Sequence, residues 1–344
     1  MSHSPQEMGF FMPAEWAPHQ RSWMAWPTRR DLWEDRLHDA QTAYARVAQA
    51  IAGFEPVTMI ANPEDVAQAR AICGEKVEIL ALPIDDSWMR DSGPTFLINA
   101  QGEIAGADWQ FNAWGEKFPP WDKDALVASR VLNHLHVPAF QAPFVLEGGS
   151  IHADGEGTLI TTEQCLLNKN RNPTLSRAEI EENLRAWLGV QKIIWLGEGL
   201  ENDHTDGHVD DITCFVRPGV VMTAVCNNPN DANYAPLQEN LARLRAATDA
   251  KGRQLEIIEM PLPAAREIEG VGRLAASYIN FYIVNGGIIA PGFDDPMDEK
   301  AQKILASAFP DRKLVMVPGL TIVAGGGNVH CITQQQPAGP AARI

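Results

Sequence analysis

Positive charge is scarce in this chain. Its 28 lysines and arginines face 44 aspartates and glutamates among 344 residues, a formal net charge of −16. A surplus of that sign repels phosphate backbones and anionic lipid headgroups, so neither nucleic acid nor a membrane surface is an expected partner. Cysteine is sparse too. Cys73, Cys165, Cys214, Cys226 and Cys331 lie far apart and form no C-x-x-C pair, which argues against a zinc ribbon or a redox dithiol. The first four read as small core residues. No apolar run approaches the roughly 18 residues needed to span a bilayer. Residues 1–7 lack the basic and apolar segments of a secretory signal, and a cytoplasmic location is expected. What remains is an ordinary globular composition, 45% hydrophobic and 21% charged. The chain is longer than one ordinary core usually supports, so it holds two domains or one domain built by repetition.

Repetition fits the pattern better. Asn62-Pro63-Glu64 supplies an N-cap and a first-turn proline for a helix to about residue 73. Further helices are expected over 122–135, 176–189, 234–247 and 295–308, the third with a capping box from Ser176 to Glu179 and a stop at Gly189. A helix over 37–51 adds to the first unit. Each of the five is followed by a β-rich run: 77–82, 144–146, 192–196, 254–260 and 313–317. Glycine turns then lead into further strands: Asp91-Ser92-Gly93, Glu147-Gly148-Gly149, Asp206-Gly207-His208, Asn285-Gly286-Gly287 and Gly326-Gly327-Asn328. Residues 147–152 and 325–330 both read x-G-G-[SN]-[IV]-H. Self-similarity at roughly 40 to 80 residues points to a closed array whose equivalent turns converge on one axis.

Four of the five turns carry ionisable side chains: Asp91, Glu147, His208 with Asp210, and Cys331. On an extended segment His208 and Asp210 share a face, and Asp211 alternates away from it. Carboxylates gathered in a buried site need a compensating cation. Besides Arg90 these motifs hold no lysine or arginine, so the missing cation is read as the substrate. A guanidinium, planar with five donors, is what a pair of carboxylates clasps. Cys331 follows Gly325-Gly326-Gly327-Asn328-Val329-His330, a poor place for helical packing, and reads as a nucleophile aimed at a cationic carbon. His330 is expected on the opposite side of a strand from Cys331 and, like His152, to be structural. Arg90 is expected to pair with a carboxylate and fix its turn, and Trp109 and Trp114 to sit in the core. Asp206 either organises its turn or binds the far end of a substrate, and Arg171 lines the site mouth. Two rival classes stand beside this reading. His204, His208 and Asp210 suggest a metal-dependent hydrolase, though Gly207 spoils a helix there and no third strong ligand motif appears. A non-catalytic guanidine-binding protein is the other.

Several motifs in one order carry a family likeness: Met12-Pro13-Ala14-Glu15-Trp16, Trp88-Met89-Arg90-Asp91, Phe111-Asn112-Ala113-Trp114-Gly115, Leu146-Glu147-Gly148-Gly149-Ser150, Leu167-Asn168-Lys169-Asn170-Arg171-Asn172-Pro173, Gly207-His208-Val209-Asp210 and Gly327-Asn328-Val329-His330-Cys331. Over nearly its whole length the chain resembles the agmatine deiminase family, close to the bacterial-type peptidylarginine deiminases. The resemblance implies an α/β pentein: a five-bladed α/β propeller of ββαβ units with pseudo-five-fold symmetry, one catalytic domain over 1–344. It implies hydrolysis of a guanidinium to a ureido group with loss of ammonia, no cofactor and no metal, and a homodimer as a common assembly. It makes Cys331 the nucleophile, His208 the general acid and base, and Glu147 the carboxylate partner of that histidine. Asp91 and Asp210 would grip the guanidinium nitrogens and Trp88 would line the pocket. Agmatine is the first expectation for the substrate, because no arginine pair dedicated to a carboxylate stands out. Peptidylarginine or another guanidine is the second. Carboxylates beside Cys331 are expected to raise its pKa and a bound cation to lower it.

Overall fold

One supersecondary unit recurs along the chain: an antiparallel hairpin, a helix, and a strand that returns parallel to the second strand of the hairpin. The computed structural model describes residues 3–343. In one sheet Thr95–Ile98 pairs antiparallel with Ile104–Gln110, which lies parallel to Ala139–Val145. The same order joins His152–Ala153, Thr158–Thr162 and Lys192–Leu196. It recurs in Thr213–Arg217, Val220–Val225 and Glu256–Pro261, and again in Tyr282–Val284, Gly287–Gly292 and Lys313–Pro318. A further sheet closes the chain on itself. Thr333–Pro337 pairs antiparallel with His19–Ala25, which is parallel to Val57–Ala61, itself parallel to Val77–Ala81. The fold is α/β. Among the described residues no helix is long and apolar enough to cross a membrane.

The residue pattern explains the layering. Val57–Ala61, Thr158–Thr162 and Val220–Val225 are buried at every position, as parallel strands covered on both faces must be. Val77–Ala81, Glu256–Pro261 and Lys313–Pro318 mix buried and exposed positions and form the outer edges. The helix Leu37–Ile51 buries Ala40, Tyr44, Ala48 and Ile51, one stripe at helical spacing. Each large apolar side chain so covered contributes about 1.5–3 kcal/mol.

Local chemistry moves several boundaries. The capping box forms as expected: Glu179 Oε2 accepts from the Ser176 backbone at 2.7 Å and Ser176 Oγ from the Glu179 N–H at 3.3 Å. That helix, Arg177–Leu188, ends at Gly189. The helix foreseen from Asn62 begins instead at Val66. Asn62 is committed elsewhere, accepting from Ile84 N at 3.0 Å and donating to Thr28 Oγ1 at 3.2 Å. A 3-10 turn, Asp124–Leu126, precedes Val127–Leu135, and the helix foreseen from 295 starts at Asp298. The strand foreseen at 144–146 spans Ala139–Val145, where exposed Gln141 alternates with buried neighbours.

One turn was assigned to the wrong place. Asn285-Gly286-Gly287 is the hairpin inside its sheet, between Tyr282–Val284 and Gly287–Gly292. The segment that enters this sheet as the other glycine turns enter theirs is 277–281, and it carries Asn280. The entering segments touch one another. Arg90 N donates to Cys331 O at 3.1 Å, Gly149 N to Asp91 Oδ1 at 2.9 Å, and His330 N to Asn280 Oδ1 at 2.9 Å.

Candidate active site

Cys331 lies in the turn before Thr333–Pro337 and is 3% exposed. Asn280 cradles it. Its Oδ1 accepts from Cys331 N at 3.3 Å, and its Nδ2 donates to Sγ at 3.1 Å and to Asp211 Oδ1 at 3.0 Å. Asp210 Oδ2 is 3.6 Å from Sγ. Burial, then Asp210, Asp211 and Asp91, push the Cys331 thiol well above its usual range. Gly327 allows the close approach of Trp88: a Cβ there would fall 2.7 Å from the indole ring and 3.0 Å from Sγ. Trp88 stacks on Trp33 with centroids 6.4 Å apart. A cleft with about 380 Å³ of empty space opens at Cys331, lined also by Asp86, Trp88, Asp91, Trp114, Phe118 and His204.

Three more of the sequence-predicted residues meet beside it. His208 Nδ1 is 3.8 Å from Asp91 Oδ1 and 4.0 Å from Asp210 Oδ1, all three side chains being buried. Neither ring nitrogen of His208 has a hydrogen-bond partner, nor do Asp210 Oδ1 and Glu147 Oε2. Buried polar atoms are seldom left unpaired, and a cluster of them marks a place built to receive a ligand. Burial opposes the charged imidazole, yet Asp91, Cys165 and Glu147 outweigh it and hold His208 well above the ordinary histidine range. Burial pushes Asp91 up to about 6, with His208 opposing and Asp210 adding. Asp210 is buried as deeply, but His330, His208 and Arg90 keep its carboxyl below the usual range. Asp211, beside it, is pushed well up by burial and by Asp210.

His208 and Asp210 do not lie on an extended segment as expected. Val209–Asp211 is a 3-10 turn. What aims His208 is the turn before it, where the Asp203 carboxylate accepts from Gly207 N at 2.9 Å and His208 N at 3.1 Å. Asp91 sits in the helical turn Met89–Ser92, receiving Gly149 N on Oδ1 and Trp114 Nε1 on Oδ2, each at 2.9 Å. The expectation of Trp114 as a core residue therefore misses half its role. It is carried on a left-handed stretch, with φ of 51° at Ala113, 56° at Trp114, 88° at Gly115 and 64° at Glu116. Such backbone costs about 1–2 kcal/mol per non-glycine residue and is kept where the surroundings demand it. Trp109 is core, its Nε1 bonded to Thr95 Oγ1 at 2.8 Å.

Other expectations need correction. Glu147 is not hydrogen-bonded to His208; the two share a 4.8 Å cluster with Cys165. Its bonded partner is Arg171, with Nε donating to Oε1 at 2.6 Å. Arg171 is buried rather than at the mouth, and also donates to Asp206 Oδ2 at 2.6 Å and Thr205 O at 2.7 Å. Asp206 further takes Lys117 Nζ at 2.6 Å and Asn170 Nδ2 at 2.9 Å, so it organises its turn. Arg90 fixes the cysteine turn without a carboxylate, donating to His330 O at 3.3 Å and Gln335 Oε1 at 2.8 Å. His330 precedes any strand and bonds Asp210 Oδ2 at 2.7 Å and Glu15 Oε2 at 2.8 Å. Cys165 is core yet touches the His208 cluster. His204 lines the cleft, and among the described residues it joins no cluster of three metal-ligating side chains. Sequence reasoning missed Asn280, which has no glycine beside it, and Glu15, which stood in a quoted motif without a role.

Known proteins share this arrangement of sheets and turns. The family model described as Porphyromonas-type peptidyl-arginine deiminase matches residues 11–337. An agmatine deiminase of Stutzerimonas stutzeri is 51% identical, with 98% of both chains covered. One from Pseudomonas aeruginosa is likewise 51% identical, over 97% of each. The solved agmatine deiminase of Enterococcus faecalis superposes with a TM-score of 0.95 at 40% identity, covering 98% of each chain. Likeness of this extent reaches every turn described above, and the chain belongs to the Porphyromonas-type peptidyl-arginine deiminase family.

Proposed function

We propose that this protein is an agmatine deiminase, converting agmatine and water to N-carbamoylputrescine and ammonia. The carrying observation is the lining of the cleft, which holds two carboxylates, Asp86 and Asp91, and no lysine or arginine. That suits a substrate cationic at both ends and leaves an α-carboxylate unmatched, which argues against free arginine. The four hairpin–helix–strand sheets and the closing sheet that joins the two ends of the chain support reading the fold as a five-bladed propeller, a pentein, in one domain over 1–344.

Asp91 and the free oxygen of Asp210 grip the guanidinium nitrogens, with Trp88 against its plane. The bound cation lowers the pKa of Cys331, the thiol proton leaves to solvent through the cleft, and Asn280 Nδ2–H steadies the thiolate. Sγ attacks the central carbon, the bond from that carbon to a terminal nitrogen breaks, and His208 gives its proton to the departing ammonia. An S-alkylthiouronium remains. Water then attacks the same carbon and passes a proton to His208, the carbon–sulfur bond breaks, and the urea leaves. Glu147, tied to Arg171, keeps a negative charge beside His208 through both halves.

The test is ammonia release from agmatine, arginine and a peptidylarginine, with Cys331→Ala as control. Agmatine is expected to be turned over best and the variant to be inert. Preference for a substrate carrying a carboxylate, or turnover by Cys331→Ala, would overturn the assignment.

A further inference from the structure

Behind Cys331 lies a buried chain of charges that the reaction above uses only at its Asp210 end. His330 Nδ1 is 2.7 Å from Asp210 Oδ2, and its Nε2 is 2.8 Å from Glu15 Oε2. The three residues are 3%, 2% and 4% exposed respectively. A neutral imidazole has one N–H, and a carboxylate only accepts. Two carboxylates on one ring therefore require a second proton, on the ring or on one of the acids.

The surroundings place that proton. Glu15 Oε1 accepts from Ile283 N at 2.8 Å. His152 Nδ1 accepts from Phe215 N at 3.3 Å, so the proton of this ring is on Nε2, which faces Glu15 Oε2 at 3.7 Å. Glu15 thus faces two donors besides His330, Ile283 N and His152 Nε2, and is ionised. On the other side Asp210 Oδ2 meets both His330 and the Cys331 thiol, and it too is an acceptor. The second proton belongs to His330. The same argument removes a metal from Glu15, His152 and His330, since His152 Nε2 has no free lone pair.

We infer that His330 is an imidazolium locked between Glu15 and Asp210, a positioning residue that anchors Oδ2 of Asp210 and leaves Oδ1 ionised and free for the guanidinium. This rests on the deiminase reading of the site. Asp210 Oδ1 is buried without a partner, while Oδ2 is spoken for. The titratable and charged groups facing His330 are Glu15 from the N-terminal segment, neutral His152 from the neighbouring sheet, Arg90 from the helical turn and Asp210. Burial and Arg90 oppose its protonation, and Glu15 and Asp210 outweigh them. The consequence is a division between the two gripping acids. Asp91 has no hydrogen-bonded cation, only His208 at 3.8 Å, and takes up a proton at about 6, whereas Asp210 stays charged.

His330→Gln removes the cation and leaves a buried carboxylate among Asp91 and Asp211. KM for agmatine at neutral pH is expected to rise on the order of tenfold, the effect of one pKa unit, with kcat changed less. The acid limb of kcat/KM moves to higher pH, and raising the pH restores affinity. A merely structural role would give a loss independent of pH, and that result would overturn the inference. Glu15→Gln, a milder change, covers the case in which His330→Gln does not fold. NMR of the histidine rings should find His330 protonated in the wild type at a pH where an ordinary imidazole is neutral, and neutral at that pH in Glu15→Gln. A neutral His330 in the wild type sinks the proposal outright. Because the NMR readout needs no turnover, a wild type that left agmatine intact would refute the deiminase assignment, and with it the guanidinium role of Asp210, while the protonation of His330 would still be read on its own.

Discussion

A single methyl group at Gly149 should disable the site while leaving the fold standing. The N–H of Gly149 holds Asp91 Oδ1 at 2.9 Å. A Cβ at that position would fall 2.6 Å from His208 Nδ1, 2.9 Å from Asp91 Oδ1 and 3.0 Å from Asp210 Oδ2. Ordinary contact begins near 3.4 Å, so the three neighbours must retreat by about 0.4 to 0.8 Å. Misplacing reacting groups by 1 Å costs on the order of 100-fold, so Gly149→Ala should lower kcat/KM by roughly 10- to 100-fold, or about 1.4–2.7 kcal/mol. Gly149 is not in the left-handed region, so alanine strains no backbone there. Crowding would lower stability by about 1–3 kcal/mol, a loss that a folded domain of this size tolerates. Ammonia release and thermal unfolding measure the two effects separately. A variant with kcat/KM within twofold of wild type would refute the claim that His208, Asp91 and Asp210 act as one tightly packed set.

Three other outcomes follow from the same geometry. Asn280→Ala removes the donor to Sγ and should lower kcat by roughly 10- to 100-fold, the worth of a hydrogen bond to a charged atom, with KM little moved; equal effects on both would contradict it. Because the grip needs the ionised form of Asp91, whose carboxyl burial pushes up to about 6, wild-type kcat/KM should fall as pH drops through about 6, and Asp91→Asn should lose activity at every pH. Ultraviolet thiolate absorbance at neutral pH should be absent in the free protein and appear when a guanidinium ligand binds. Absorbance unchanged by the ligand would remove substrate-assisted ionisation of Cys331 from the mechanism.

Much of this was legible from one dimension because turn chemistry and hydrophobic runs are local. The box at Ser176 and Glu179 formed as written, and Asp91, His208, Asp210 and Cys331 met as their motifs suggested. What escaped depended on partners distant in the chain. Asn62 looks like a cap until Ile84 claims its oxygen. Arg171 looks like a surface cation until Glu147 and Asp206 enclose it. Asn280 is invisible because its segment turns without glycine, and a nearby Gly-Gly pair announces a different bend. His330 was set aside on the assumption of a strand, and the turn it occupies instead directs its ring toward Asp210.

The pairing of Thr333–Pro337 with His19–Ala25 has a consequence for biosynthesis. Glu15 leaves the ribosome early, while Cys331 is made after every other residue of the site. Until that last strand docks beside one synthesised some three hundred positions before it, the nucleophile has no neighbours and the growing polypeptide is chemically silent. Contacts so remote in sequence form slowly, and the reactive centre is incomplete until that pairing is made. An enzyme rearranged so that its ends fell in another of its sheets would reach the same centre in a different order.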